Sequence, residues 1–417
     1  MQSIYITNGV IGGIVIACLS GFFFLSKINK SELWRVIVTP LASIIGSGFL
    51  VVAPLMYADF GIWSIPLVLV LNIFALGVGW AIRVNIKWFD PYKAAFQESK
   101  KWVVVLEKLS NFALGASYMV AIAFYVSLLS SFVFELFKIH GDTILFGFVH
   151  GKQLINTLST VILSFIALFG LFKGLHGLEN LEKIAVNLKL AVIGALLATL
   201  GIYAIASFMG MTDTSYVYTF VQLNGHKLQI LGGLLLITQG FETVKFLGDE
   251  YAVETRNKAM LFAQVIALVI YVIFVPLAGP LTATLTELHE TAIIQIISQT
   301  AFGMGVVLSL AAIFSQFGAA VADTIGASGL VEEESGRRLT ERQAYLPVGG
   351  SAILLIWLLP IFKIIVIASR LFALYYLFQT IIAIAISIDQ KNYVRTALFS
   401  GIAFVLLFIV LFAISSH

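Results

Sequence analysis

The sequence predicts an all-α integral membrane protein of about twelve transmembrane helices, and three observations carry that prediction. Of the 417 residues, 60% are hydrophobic and 11% charged, with a mean hydropathy of +1.00; an average soluble chain has about 25% charged residues. The apolar residues run continuously over stretches of about 20, the length a helix needs to cross a hydrocarbon core. Barrel strands would instead alternate polar and apolar positions.

Polar interruptions place helices near 5–26, 36–58, 61–82, 103–136, 154–172, 184–208, 229–247, 260–278, 303–329, 347–366, 368–388 and 396–414. The first is read as a retained helix, since it is long, lacks a basic leader and ends in aromatic residues rather than at a small-residue cleavage site. Basic residues then set the orientation. Lys27, Arg35, Arg83, Lys101, Lys173, Arg256, Arg337 and Arg395, with their basic neighbours, fall on one side, while Lys138, Lys152, Lys227, Lys363 and Arg370 are left for the other. The positive-inside rule makes the first side cytoplasmic and both termini extracytoplasmic, in a cytoplasmic (inner) membrane. Segments 87–101 and 280–302 read as interfacial connectors, and 331–342 as a solvated turn. Amphipathy alone does not make 280–302 a lid.

Several function classes are excluded. The single cysteine, Cys18, allows no intrachain disulfide, and His140, His150, His176, His226, His289 and His417 are scattered without metal-ligand spacing. A net charge of +3 and the lack of a phosphate loop argue against nucleic acid. No nucleophile stands beside a base, so no enzyme, cofactor or metal is expected. No span carries the regular polar stripe of a channel.

The span 36–58 holds Gly46-Ser47-Gly48 at its middle, and two glycines weaken a helix there. Such a motif standing alone most often means close helix packing. A second interruption, Thr238-Gln239-Gly240-Phe241-Glu242, lies five helices further on and therefore in a helix of opposite direction. Paired interruptions of this kind point to an inverted repeat with a midplane binding site, where half-helix ends meet a carboxylate and freed carbonyls meet an ammonium group. An amino acid presents both.

Lys189 lies within an apolar run, where a lysine is functional by default unless it snorkels to the interface. Ser315, Ala319 and Asp323 share one helix face, so Asp323 either pairs with Lys189 across the bundle or forms a static salt bridge. Glu242 either holds the broken helix and carries a proton, or pairs with Lys245.

Ile44-Ile45-Gly46-Ser47-Gly48-Phe49 and Gly240-Phe241-Glu242 resemble the first- and sixth-helix signatures of the amino acid/polyamine/organocation (APC) transporters. The segment 248–260 is similar to that family's acidic cytoplasmic stretch but lacks its Asn-Pro. The resemblance implies a leucine-transporter-like five-plus-five inverted repeat with discontinuous first and sixth core helices. The repeats would occupy 35–208 and 229–388, with an extra helix before the core (1–34) and one after it (389–417). It further implies a secondary transporter of an amino acid or small amine; exchange, or a non-transporting sensor on the same scaffold, are the alternatives. Carried over, Ile44, Ser47 and Gly48, with Gly46 between them, would hold the substrate carboxylate; backbone at Leu236, Ile237 and Gln239, next to Gly240, would receive its amino group. Leu236 stands where relatives place an aromatic gate. The stretch 117–123 is an apolar wall that favours a neutral or hydrophobic substrate. A lysine at the position of Lys189 replaces sodium in some proton-coupled relatives, and Ser315, Gly318 and Ala319 offer no Thr-Ser pair for a sodium ion, so protons are favoured over sodium. The partners are thus a small amine or amino acid, protons and membrane lipid; no oligomeric state is implied.

Overall fold

The computed structural model describes residues 2–145, 149–175, 179–212, 216–248, 250–285 and 289–415. It is a helical bundle: α1 (Gln2–Leu25), α2 (Glu32–Phe60), α3 (Ser64–Trp88), a short α4 (Lys93–Ser99), α5 (Lys101–Glu135), α6 (Gly151–Lys173), α7 (Glu179–Phe208), α8 (Gly225–Gly233), α9 (Val253–Ala278), α10 (Ala292–Thr300), α11 (Met304–Glu334), α12 (Glu341–Leu358), α13 (Ile361–Asp389) and α14 (Tyr393–Phe412). A two-residue hairpin, β1 (Ile144–Leu145) with β2 (Val149–His150), joins α5 to α6. Among the described residues, ten helices are long and apolar enough to cross a membrane. The interrupted segment 225–246 and α12 are not among them.

Burial ranks the helices. In α2, 94% of the most apolar window is buried, against 11% in α1 and 17% in α14, so α2 is the axis and the other two flank the bundle with lipid-facing residues such as Val10 and Phe404. Without a hydrophobic drive between helices in lipid, close approach depends on small residues and on interhelical hydrogen bonds. The flanking helix α1 shows both. It lies along α7, Gly12 meets Thr199 and Met304, and the Asn8 amide donates to the Thr199 and Thr300 carbonyls at 3.0 and 2.9 Å.

Three sequence expectations are corrected. First, α2 stays helical through Gly46-Ser47-Gly48. The glycines there serve approach: a Cβ on Gly48 would lie 2.7 Å from the Cα of Ile237. The carbonyls of Ala42, Ile44 and Gly46 each also accept a side-chain donor, so the weakened stretch meets its polar demand without unwinding. Second, the boundary between the two helices after residue 340 falls at Leu359-Pro360, earlier than the predicted 366–368. Proline holds Leu359 extended, at φ −127° and ψ 144°, which ends α12 and leaves Pro360 as the N-cap of α13. Third, segment 280–302 is no surface connector. Its helix α10 buries Ile293, Ile294, Ile296 and Ile297 and packs against α2, α7 and α11.

The second predicted break is present. α8 ends at Gly233, a 3-10 turn covers Leu235–Thr238, Gly240 sits at φ +115°, and a second 3-10 turn covers Phe241–Phe246. A Cβ on Gly240 would lie 2.4 Å from Ser43 Oγ and 2.7 Å from the Ile44 nitrogen, so only glycine permits both this backbone turn and this contact with α2.

Candidate functional site

A cavity of about 860 Å³ enters the bundle from the end that carries Arg35 and Glu333 and stops against the broken helix. Exposed Arg35, Glu250 and Glu333 rim it. Deeper, its walls are Ala42 and Ser43 of α2, Tyr118 of α5, Thr243 of the second 3-10 turn, and Ala319, Asp323 and Gly326 of α11. The opposite end is closed. There the Tyr57 hydroxyl donates to the Val217 carbonyl (2.6 Å) and accepts from the Thr219 amide (3.1 Å), and Lys227 Nζ pairs with Asp59 Oδ1 at 3.0 Å.

The expected substrate residues Ile44, Gly46, Gly48, Ile237, Gln239 and Gly240 gather where α2 meets the break, but they are not among the described residues that line the cavity, and several of their backbone groups are engaged by the protein. The single proton of the Tyr271 hydroxyl is shared between the carbonyls of Ile44 (3.1 Å) and Ile237 (2.7 Å), which ties α2 to the first half of the break. Gln316 Nε2 donates to the Gly46 carbonyl at 2.9 Å. Gln239 Nε2 donates to the Tyr125 hydroxyl at 2.7 Å. The Gly240 amide, freed by the break, donates to Glu242 Oε2 at 2.9 Å. The side chains of Ser47 and Leu236 lie outside the described residues, as do His176 and His417.

The candidate coupling residues converge from three helices. A Cβ on Gly46 of α2 would lie 3.6 Å from Lys189 Nζ of α7, 3.3 Å from Ala319 Cβ and 4.0 Å from Ser315 Oγ of α11. Lys189 is only 8% exposed and its Nζ donates to the Ala42 carbonyl at 3.3 Å, so it points into the bundle and does not snorkel. Asp323, two turns beyond Ser315 on the same face, is buried on the cavity wall.

Glu242 does not pair with Lys245, contrary to one of its two expected roles. Its Oε2 also accepts from the Tyr376 hydroxyl at 2.7 Å, in fully buried surroundings. Lys245 turns the other way, to Glu107 Oε1 of α5 (2.5 Å) and Gln379 Oε1 of α13 (3.1 Å). A regular 3-10 turn would align residues 242 and 245, but each is drawn to its own partner: Glu242 to Tyr376 of α13 and its own Gly240 amide, Lys245 to Glu107 of α5 and Gln379 of α13. Gln379 completes the network by donating to Glu107 Oε2 (2.7 Å) and Ser110 Oγ (2.8 Å).

Four buried polar atoms around the break have no hydrogen-bond partner among the described residues: Ser43 Oγ, Gln239 Oε1, Glu242 Oε1 and Gln316 Oε1. A buried polar atom is ordinarily satisfied, so these four atoms concentrate unused hydrogen-bonding capacity around the break. The sequence reading missed Ser43, Gln316, Tyr271 and the Glu107–Gln379 network. Glu107 and Gln316 carried a signal, as polar groups inside apolar spans. Of the wall expected at 117–123, the cavity is lined by Tyr118.

A helical bundle long and apolar enough to span a membrane, with a blind cavity ending near a broken helix, suits a transporter. Residues 26–413 match the description of an APC superfamily transporter, and the chain belongs to that superfamily. It is 42% identical over 399 residues to an uncharacterized protein of Aquifex aeolicus (strain VF5), covering 94% of this chain and 93% of that one. Two solved structures share the leucine-transporter fold with it. One is Mhp1, a nucleobase-cation-symport-1 family transporter in a closed conformation with bromovinylhydantoin bound (TM-score 0.52, 11% identity, 90% of this chain and 91% of that one). The other is a mutant of the manganese transporter of Eremococcus coleocola (TM-score 0.57, 12% identity, 91% and 86%).

Proposed function

We propose that the protein moves a small amino acid or related amine across the cytoplasmic membrane by alternating access, coupled to protons. The observation that carries this reading is the meeting of the cavity floor with the break. Ser43, Tyr118, Thr243 and Asp323 line the space, and the unsatisfied oxygens of Gln239 and Glu242 lie just beyond it. A zwitterion entering from the rim reaches hydroxyl groups, an aromatic ring and one deep carboxylate. Apart from these, Ala42, Ala319 and Gly326 leave a smooth wall that suits a neutral or apolar side chain.

The rim with Arg35 lies at the basic end, which the positive-inside rule assigns to the cytoplasm. The cavity is then inward-facing, and both termini are extracytoplasmic. On this reading the core consists of two inverted five-helix repeats, 35–208 and 229–388. The backbone groups of Ile44, Gly46, Ile237 and Gly240, held by protein side chains in this state, are exchanged for substrate contacts as α2 and the broken helix part. Lys189, with Ser315 and Asp323, places a proton-carrying cation where it steadies α2, and Glu242 is a second proton carrier at the break. Protons serve this arrangement better than sodium, since an ammonium group already stands at the junction of α2, α7 and α11.

A thermal-shift screen of purified protein against single amino acids and small amines tests the substrate class. The expected result is stabilisation by one chemical group of neutral compounds that is lost in Gly326→Leu, which fills the cavity. Stabilisation that persists in Gly326→Leu, or none by any amino acid or amine, contradicts the reading.

A further inference from the structure

Helix α10 is held at its two ends by different chemistry. Its C-terminal end is fastened to α1 by groups that do not titrate near neutral pH: the Asn8 amide on the Thr300 carbonyl, the Tyr5 hydroxyl on the Ser298 carbonyl (3.1 Å) and the Phe302 amide on the Tyr5 carbonyl (3.1 Å). Its N-terminal end is fastened to the end of α5 by titratable groups. The rings of His140 and His289 stack in parallel, with an interplanar angle of 2° and centroids 4.5 Å apart. Glu135 Oε2 stands 3.2 Å from His140 Nδ1 and also accepts from Thr291 Oγ1 at 2.5 Å. Ser131 Oγ donates to Glu290 Oε1 at 2.6 Å.

We propose that the His140–His289 stack is a proton-operated latch: it holds the N-terminal end of α10 to α5 while at most one ring is charged and lets that end swing out when both are. Two imidazoles stack when neutral or singly charged, and Glu135 Oε2 lies within ion-pair distance of the His140 ring. A second proton puts two like charges face to face at a separation where their repulsion is not screened by intervening solvent. Histidine is suited to the task because its ordinary titration lies near neutral pH. The titratable groups on the elements that meet here are Glu135 on α5, Lys138 and Asp142 in the turn after it, His150 and Lys152 beyond that turn, and Glu290 just before α10. Of these, Glu135 contacts His140 directly. The α1 end then acts as the hinge, and because α10 packs on α2, α7 and α11, its release loosens the closed end above Gly46, Lys189 and Ser315. The inference stands apart from the identity of any substrate.

Hydrogen exchange measured by mass spectrometry on the full-length protein in detergent, corrected for intrinsic rates, tests it. Between about pH 7.5 and about pH 5, either side of the imidazole range, peptides covering 289–302 should lose protection by about tenfold or more, while peptides in 110–130 of α5 keep theirs. His289→Phe keeps a ring in the stack but cannot be charged, and should abolish the loss. No pH-dependent loss in the wild type, or an equal loss in His289→Phe, would overturn the latch.

Discussion

Gly240 shows how much one residue decides. At φ +115° it lets the chain turn from one 3-10 segment into the next, and its bare Cα lets Ser43 and the Ile44 amide approach. Gly240→Ala therefore meets backbone strain and overlap together, and should cost at least about 2 kcal/mol, read as a lower melting temperature in detergent. Gly225→Ala is the control: nothing lies within 4 Å of a Cβ there, and the change should stay within about 0.5 kcal/mol. Equal effects would mean that the break does not depend on Gly240. Residues of this kind were legible because the sequence departs locally from good helix formers. Lys189 was legible for another reason, the cost of a charge in an apolar run. Ser43 and Tyr271 gave no such signal, since a serine or tyrosine in a membrane helix is common and their roles arise only when two distant helices touch.

At the scale of elements, the second half of the broken helix is a six-residue 3-10 turn, too short to hold its own shape. The Lys245–Glu107–Gln379 network supplies the constraint, with Asn85 of α3 donating to Gln379 and Arg256 of α9 donating to the Lys245 carbonyl. A buried ion pair adds little net stability, yet breaking it strands a charge. Lys245→Met alone should cost about 3–5 kcal/mol, and adding Glu107→Gln should recover part of it; a double-mutant cycle by thermal melting measures the coupling. Additive effects would show that the two side chains act independently. Helix order and most boundaries followed from apolar runs and polar breaks. The expected unwinding of α2 did not, because a Gly-Ser-Gly motif reads the same whether the glycines free the backbone or admit a neighbour. What decided it was Ile237, seated against Gly48 from a segment far along the chain.

For the whole molecule, the closed end and the cavity are two halves of one device. Tyr57 and Asp59 bridge one side, where α10 packs on α2, α7 and α11, while α2, α11 and the broken helix leave the other side open down to Asp323. Alternating access requires these to exchange, and coupling requires that protonation at the junction of α2, α7 and α11 bias the exchange. The measurement that bears most directly on this is uptake of labelled neutral amino acids into proteoliposomes under an inward proton gradient, for the wild type and for Lys189→Ala. The account predicts accumulation that a protonophore collapses in the wild type, and transport without pH dependence in Lys189→Ala. Accumulation that a protonophore leaves intact, or an unchanged pH profile in Lys189→Ala, would contradict it.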